Sequence, residues 1–308
     1  MRAIRQTQFG GPDILVVTAV DDPQPAAGDI LVRLKASGIN PVDVYARSGG
    51  FQPLGQPPFI LGWDVAGVVE AVNGTTDFAV GDEVFGMPLF PKAAGAYAEL
   101  VTAPAHDFAR KPQSWSYEQA AAAPLAGLTA WQGLIDGAAL KAGERLLIHG
   151  GGGGVGHLAV QLAKAQGAYV IATASAGKRD FVLGLGADEV IDYRTTRFED
   201  AAGAVEVILD TVGGDNGTRS VALLQRGGRF ATIVERTNAA LADAAERKGV
   251  TFVGVGVRPD KIGLEAMAKL ADAGKLTPII AAVFPLEQAG AAHLALAAKP
   301  AGKIVLAI

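Results

Sequence analysis

The stretch that decides the fold is Arg-Leu-Leu-Ile-His-Gly-Gly-Gly-Gly-Gly-Val-Gly, residues 145–156. Its first five residues predict a buried strand, and a helical pattern over His157–Gln166 follows the glycines. A GxGxxG motif in this strand–turn–helix context predicts a dinucleotide site, because glycines permit a tight turn and let the backbone approach a pyrophosphate at the helix start. The glycine run leaves the register open by one residue, and a flexible loop without a ligand is the alternative. The residues assigned to the site are Gly151, Gly153, Gly154, Val155 and Gly156.

Around this motif, from Glu144 to about Val257, apolar strand patterns alternate with helical patterns. Such alternation is typical of a doubly wound parallel sheet. The strand patterns are Arg145–His149, Tyr169–Thr173, Val205–Leu209, Arg229–Val234 and Thr251–Val255. The helical patterns are Val155–Gln166, Arg179–Leu185, Arg219–Leu224 and Leu241–Lys248.

The first 120 residues differ, because their short strand patterns are separated by clusters of Pro, Gly and Asn. These strand patterns are Asp29–Ala36, Asp64–Val72, Glu83–Met87 and Ala96–Val101. A Ser-x-x-Gln helix start at Ser116 marks the junction, and Pro124 should interrupt the helix before Leu125–Ile135 resumes it. The tail predicts helices and strands at Gly263–Ala273, Ile279–Phe284, Glu287–Ala298 and Lys303–Ile308. We therefore expect two domains, 1–120 with 260–308 and 121–259.

The end of the second strand of the parallel sheet bears on which dinucleotide binds. An Asp or Glu about 20 residues after the first glycine would hold the ribose 2′-hydroxyl of NAD. Here the stretch is Ala-Thr-Ala-Ser-Ala-Gly-Lys-Arg, residues 172–179, with no acid before Asp180. Ser175, Lys178 and Arg179 suit a 2′-phosphate, so NADPH is favoured over NADH. The alternative is that Lys178 and Arg179 are a solvated helix face.

Composition excludes several classes of protein. The chain of 308 residues is 50% hydrophobic and 19% charged, with 27 Lys and Arg against 31 Asp and Glu, so a globular protein is expected. No block of like charge suggests nucleic acid as a primary ligand. The absence of cysteine removes disulfides and thiolate metal sites. Neither a signal peptide nor an apolar run of membrane-spanning length is evident, so a cytoplasmic location is expected.

Several further motifs accompany the glycine turn, and together they carry a family resemblance. They are Gly38–Tyr45, Leu61–Gly67, Val80–Val84, Gly95–Glu99, Leu128–Trp131 and Leu209–Gly213. With these motifs the chain resembles, over essentially its whole length, the zinc-independent quinone oxidoreductase branch of the medium-chain dehydrogenase/reductase superfamily, the zeta-crystallin-like reductases. The resemblance implies an α/β protein with a mostly β GroES-like catalytic domain and a doubly wound Rossmann domain that binds NADPH.

The resemblance also implies a site without a metal. In zinc-dependent relatives a cysteine stands at the place of Asn40, and a Gly-His-Glu motif stands at the place of Gly62-Trp63-Asp64. The histidines show no metal-ligand spacing and are expected at strand ends, helix starts or the surface: His106, His149, His157 and His293. Without a Lewis acid, hydride transfer is restricted to electron-poor acceptors such as quinones or activated alkenes.

By resemblance, Asn40, Asp43 and Tyr45 are the candidate catalytic residues, with Asn40 or Tyr45 donating a hydrogen bond to the acceptor oxygen. The alternative is that Asn40 belongs to a turn and that Tyr45 is a packed aromatic. Phe51 and Trp63 are assigned to the substrate pocket. The resemblance adds to the cofactor site Thr129, Tyr193, Val212, Val234, Val255 and Val257.

Three functions stay open at this point. An NADPH:quinone reductase is the leading hypothesis, and a reductase of α,β-unsaturated ketones or aldehydes needs the same site. A non-enzymatic NADPH-binding or RNA-binding role, known among relatives, is the third. Oligomerisation is expected, because the apolar strand over Thr251–Val257 would otherwise be an exposed edge, and the family resemblance implies that the oligomer is a homodimer.

Overall fold

The structure is a computed structural model that describes all residues from 1 to 308. It divides into two compact units. The first unit comprises residues 1–128 and 258–308, and the second comprises residues 129–257. The first is mostly β-structure and the second is an α/β unit.

The second unit contains a six-stranded sheet in which every pair of neighbours is parallel. Its strands are β9 (Arg145–His149), β10 (Tyr169–Ala174), β11 (Glu189–Asp192), β12 (Val207–Asp210), β13 (Arg229–Thr232) and β14 (Thr251–Gly254). Their spatial order is β11-β10-β9-β12-β13-β14, so the winding direction reverses between β9 and β12. This is the Rossmann order, and it confirms the predicted doubly wound sheet.

Helices connect these strands and cover the sheet. They are α4 (Gly156–Ala165), α5 (Arg179–Gly184), α6 (Phe198–Ala201), α7 (Asn216–Leu223) and α8 (Ala239–Lys248). A core cluster that includes Leu147, Ile171, Ile208 and Phe230, one residue from each of four strands, is almost fully buried. The sequence patterns did not predict β11, which has only two apolar residues between Glu189 and Asp192 and lies at an edge of the sheet.

The first unit is built on a seven-stranded sheet, ordered β15-β16-β3-β5-β6-β8 with β7 paired to β3. Its strands are β3 (Asp29–Ile39), β5 (Val65–Val72), β6 (Glu83–Gly86), β7 (Leu100–Pro104), β8 (Phe108–Arg110), β15 (Ile280–Pro285) and β16 (Lys303–Ala307). A smaller sheet contains β1 (Arg2–Gln6), β2 (Val17–Ala19) and β4 (Phe59–Ile60). Because β16 pairs antiparallel with β3, the tail of the chain belongs to this unit.

The remaining helices of the chain are α1 (Pro41–Ser48), α2 (Tyr117–Ala122), α3 (Pro124–Trp131), α9 (Lys261–Asp272) and α10 (Ala289–Ala297). The Ser116 and Gln119 side chains form the expected capping box at the start of α2, and Pro124 begins α3. A π-helical turn, Gln132–Gly137, then replaces the α-helix expected through Ile135. None of the helices is both long enough and apolar enough to cross a membrane.

Several elements of the first unit were not expected from the sequence or have other bounds, namely β1, β2, β4, β8, helix α1 and strand β7. Helix α1 was not predicted, because its signals are local caps and not a long apolar period: Pro41 opens it, and Gly49, with a φ of 88°, ends it. The strand expected over Ala96–Val101 begins only at Leu100, as β7. Gly95, with a φ of 75°, turns the chain, and Ala98 bridges to β1.

Candidate active site

The second unit gathers the predicted cofactor residues at one edge of its parallel sheet, except for Thr129, which is buried on α3. The glycine turn follows β9, Ser175 follows β10, and Tyr193 follows β11. Val212 lies two residues after the end of β12, and Val234 lies two residues after the end of β13. The ends of these strands are paired in register, so the two valines lie at the same edge. The carboxyl ends of parallel strands meet at one edge, where open α/β sheets bind their ligands. Val255 and Val257, after β14, belong to the same edge.

The glycine turn is shaped by contacts that a side chain would block. A Cβ at Gly156 would lie 2.1 Å from the Gly150 carbonyl oxygen, and one at Gly151 would lie 2.7 Å from Cβ of Ala172 in β10. Gly150 itself has a φ of 76°. A Cβ at Gly153 would meet the same carbonyl oxygen at 3.3 Å, which is tight but less severe. Gly151 and Gly156, the first and last glycines of the GxGxxG motif, are therefore the two that have no room for a side chain.

The same turn presents backbone N–H groups at the start of α4. Gly151 donates to the Thr173 carbonyl and Gly153 donates to the Gly150 carbonyl, each at 3.0 Å. The amides of Gly154 and Val155 donate to no acceptor within the protein. Free amides at the positive end of a helix dipole bind phosphate groups, so the turn fits a dinucleotide pyrophosphate.

Lysine and arginine side chains flank the end of β10. The Lys178 ammonium donates to the Gly152 carbonyl at 3.3 Å, and its aliphatic stem packs against the turn. Arg179 donates to the Val190 carbonyl at 2.7 Å but stays exposed. Arg194, which sequence reasoning missed, lies with its guanidinium 5.8 Å from the centre of the exposed Tyr193 ring. Three cationic side chains therefore lie in the segments that follow β10 and β11.

The loop after β12 is held by a side chain that the sequence did not single out. The buried Asp210 carboxylate accepts from the amides of Val212 and Gly213, both at 3.0 Å. Thr211 donates to the carbonyl of His149 at 2.7 Å, which ties this loop to the end of β9. The Val212 side chain remains 54% exposed, so the loop offers an apolar surface beside the glycine turn.

In the first unit, Asn40 belongs to a buried polar cluster with Asp43, Asp64 and Lys303. Asn40 donates through Nδ2 to Oδ2 of Asp64 at 2.8 Å, and Lys303 donates to Oδ1 of Asn40. The Asn40 backbone amide donates to Oδ2 of Asp43 at 2.6 Å, which closes a capping box at the start of α1. Asp64 and Lys303 were not predicted, because the pairing of β3, β5 and β16 brings them together from distant positions in the chain.

Burial shifts the titration of all three charged members of this cluster. Desolvation raises the pKa of Asp43 to about 7, and the Asn40 amide and Lys303 work in the opposite direction. Desolvation also raises the pKa of Asp64 and lowers that of Lys303, whereas the attraction between them opposes both shifts. Strongly perturbed groups grouped around a candidate catalytic residue are characteristic of functional sites.

A second buried chain of hydrogen bonds runs from Arg47 on α1 through His293 on α10 to Tyr97. Arg47 lies 3.2 Å from Nδ1 of His293, and the His293 Nε2 lies 3.1 Å from the Tyr97 hydroxyl. Burial lowers the pKa of His293 to about 3, so the imidazole is neutral. Since arginine only donates, Nδ1 accepts and Nε2 donates to Tyr97. His293 therefore corrects the expectation of a strand-end, helix-start or surface position, which His106, His149 and His157 do meet.

The two residues assigned to the substrate pocket do lie together. The Phe51 ring packs edge-on against Trp63 at 5.6 Å between centroids. Phe90, which sequence reasoning missed, packs against both rings, at 5.9 Å from Phe51 and 5.2 Å from Trp63. Tyr45, on α1, is 59% exposed, whereas Asn40 is buried. Trp63 is only 1% exposed, so it supports the other two rings without facing solvent. The first unit thus offers two partly exposed rings, Phe51 and Phe90, and the exposed phenol of Tyr45.

Comparison with known proteins places this geometry in a family. The family described as alcohol dehydrogenase GroES-like domain matches residues 26–113, and that described as zinc-binding dehydrogenase matches residues 185–306. The human protein named quinone oxidoreductase is 32% identical, over 95% of this chain and 93% of its own length. The chain belongs to the quinone oxidoreductase family of the medium-chain dehydrogenase/reductase superfamily.

Solved structures of this superfamily extend the comparison. The quinone oxidoreductase of Escherichia coli, solved in complex with NADPH, has a TM-score of 0.89 and 30% identity, with 100% of both chains covered. The CurK enoyl reductase has a TM-score of 0.89 and 29% identity, with 99% of this chain and 98% of that chain covered. As a member of the quinone oxidoreductase family, the protein is an oxidoreductase. It contains no group of three or more His, Asp or Glu side chains arranged to hold a metal ion.

Proposed function

We propose that this member of the quinone oxidoreductase family is a zinc-independent reductase that transfers hydride from NADPH to quinones. The observation that carries the choice of cofactor is the position of Lys178, whose ammonium lies at the glycine turn and which belongs to a stretch, residues 172–179, without an acidic residue for a ribose hydroxyl. The structural relative from Escherichia coli, solved with NADPH, supports the same choice.

The glycine turn would hold the pyrophosphate of NADPH, and Ser175, Lys178 and Arg179 its 2′-phosphate. Bound NADPH would supply the hydride. We assign the nicotinamide and ribose path to Thr129, Val212, Val234, Val255 and Val257, and the adenosine edge to Tyr193. These apolar surfaces exclude water from the path and orient a planar ring.

We assign the role of hydrogen-bond donor to Tyr45, because its phenol is exposed and Asn40 has both ends of its amide engaged within the protein. A donor to the acceptor oxygen stabilises the negative charge that develops as hydride arrives. Asn40 and Asp43 act through the capping box that fixes the start of α1. Phe51 and Phe90, which are partly exposed, supply flat surfaces on which a quinone ring packs, and the buried Trp63 packs against both of these rings.

Zinc independence rests on the charge of the polar cluster. The buried Lys303 ammonium contacts Asn40 and lies 3.5 Å from the carboxylate of Asp64. A second cation at these residues would be repelled by this charge in a medium of low dielectric constant. The proposed chemistry therefore depends on acceptors that spread negative charge by conjugation.

The likeness to the CurK enoyl reductase favours one alternative, reduction of α,β-unsaturated ketones or aldehydes. Steady-state oxidation of NADPH with matched panels of quinones and enones separates the two. We expect quinones to give the higher kcat/KM, and the opposite order would replace the proposal with the alternative. NADPH binding without turnover of any acceptor would indicate a non-enzymatic role.

The proposal includes a homodimer and a cytoplasmic location. The outer edge of β14 pairs with no strand of its own chain, and Thr251 on it is exposed. A free strand edge is commonly covered by the same strand of a second copy. An enzyme that consumes NADPH also requires access to the cellular pool of that cofactor.

A further inference from the structure

Lys303, the first residue of the last strand, is a buried cation to which the proposed reaction assigns no step. Its side chain is 3% exposed. The ammonium faces three oxygens: the Ile39 carbonyl at 2.9 Å, Oδ1 of Asn40, and Oδ2 of Asp64 at 3.5 Å. An ammonium has three hydrogens to donate, so each oxygen can take one. The cation is thus fully engaged by the end of β3 and the residues beside it.

The charges on either side of Asn40 fix the orientation of its amide. Lys303 can only donate, so Oδ1 must face it, and the Asp64 carboxylate can only accept, so Nδ2 must face that group. A flipped amide would place two donors together and two acceptors together. Asp64 is itself held, because its Oδ1 accepts from the Leu125 amide at 2.7 Å. The position of Asn40 is therefore set from both sides.

Asn40 in turn is the N-cap residue of α1. Its backbone amide donates to Asp43, and helix α1 carries Tyr45 two residues later. The second carboxyl oxygen of Asp43 is buried without a hydrogen bond, so the capping contact through Oδ2 is the one that holds this side chain. A shift of Asn40 would loosen the cap and reorient the helix that carries the phenol.

We propose that Lys303 is a positioning residue that, with Asp64, holds Asn40 and through it the N-terminal capping box of the helix that carries Tyr45. The proposal rests on the proposed function for its effect on turnover. Its effect on the cap itself does not depend on which substrate is reduced.

The ionisation of Asp43 reports on this network. Asp64 and Tyr97 face Asp43 from neighbouring strands and loops, Lys303 faces it from β16, and Arg47 and His293 act on it through Tyr97. Lys303 lowers the pKa of Asp43 and Asp64 raises it. Removing the two partners should therefore shift the Asp43 titration in opposite directions, which a role in packing alone would not do.

The backbone amide of Asn40 provides the probe, because it donates to Asp43. The chain has asparagine only at positions 40, 73, 216 and 238, so labelling with 15N-asparagine gives a spectrum that substitutions at the other three positions assign. In the unaltered protein we expect the Asn40 signal to titrate near pH 7. Lys303→Met should raise this midpoint and Asp64→Asn should lower it. Lys275→Met, at an exposed lysine of the same unit, should leave it unchanged.

Lys303→Met leaves Asp64 buried without its counter-ion, which opposes folding. The double variant Lys303→Met/Asp64→Asn removes both charges and is measured beside it. It should bring the midpoint back toward that of the unaltered protein. A midpoint that does not respond to either single substitution, or a double variant that shows no such return, overturns the proposal.

Turnover provides the second measurement. If the Asp43 midpoint rises by about one pH unit, the ionised fraction of Asp43 at pH 7 falls about fivefold. We then expect kcat to fall by the same factor, with little change in KM, and to recover at higher pH. A loss of kcat that no pH restores contradicts positioning through the cap. If the titration shifts as expected but no quinone or enone is reduced even by the unaltered protein, the proposed function fails and the positioning role stands.

Discussion

The proposed preference for NADPH over NADH depends most on the side chain of Lys178. Its ammonium lies against the Gly152 carbonyl at the turn, and the neighbouring Arg179 is exposed. Replacing both with alanine should weaken NADPH binding by about tenfold or more, because charge-assisted hydrogen bonds to a phosphate contribute about 1.5–3 kcal/mol. NADH binding should change little.

Titration of protein fluorescence with each dinucleotide measures the effect. Lys141→Ala, at an exposed lysine of the same unit, serves as the control and should affect neither ligand. Equal losses for NADPH and NADH would contradict the assignment of the 2′-phosphate to these side chains.

At the scale of single residues, the sequence allowed a site residue to be proposed only where a nearby motif fixes its position. Ser175, Lys178 and Arg179 could be proposed from the sequence, because one helix and one strand fix their distance from the glycines. Lys303, Phe90 and His293 were not, since each acquires its partners through contacts with distant parts of the chain. The missed residues are therefore those whose environment depends on tertiary pairing.

At the scale of elements, the glycine turn and helix α4 make a steric prediction. Gly156→Ala would place a Cβ 2.1 Å from the Gly150 carbonyl oxygen, so either the turn or the start of α4 must move. We expect at least about tenfold weaker binding of both NADPH and NADH, because the amides that would face the pyrophosphate lose their alignment. Calorimetric titration with each dinucleotide checks this.

Gly177→Ala is the matched control, since a Cβ there meets nothing within 4 Å. Its binding of both dinucleotides should match that of the unaltered protein. Should Gly156→Ala bind as tightly as Gly177→Ala, the turn would not hold the pyrophosphate as proposed.

The elements themselves were predictable where their apolar pattern is strong. Strand β9 begins and ends at the residues that its apolar sequence pattern predicts, and Leu147 at its centre is buried in the core. Helix α1 and strand β11 were missed for different reasons: α1 depends on caps, and β11 is a short edge strand with charged ends. Short elements that owe their conformation to caps or to a neighbouring strand carry little periodic signal.

At the scale of the whole molecule, the free edge of β14 predicts self-association. We expect sedimentation at micromolar concentration to give twice the mass of 31.5 kDa calculated for one chain. Thr251→Lys should favour the monomer, because a lysine on an exposed edge strand opposes pairing, whereas Thr251→Val should not. A monomer in the unaltered protein would contradict this part of the proposal.

The order of segments along the chain has a consequence for synthesis on the ribosome. The second unit is one continuous segment, residues 129–257, and can begin to fold as soon as it emerges. The first unit has to wait, because β16 and the ammonium of Lys303 arrive only with the last residues. Until then, Asp64 lacks its counter-ion. A chain released early, without its final strand, would retain a dinucleotide-binding segment but could not complete the surroundings of Asn40.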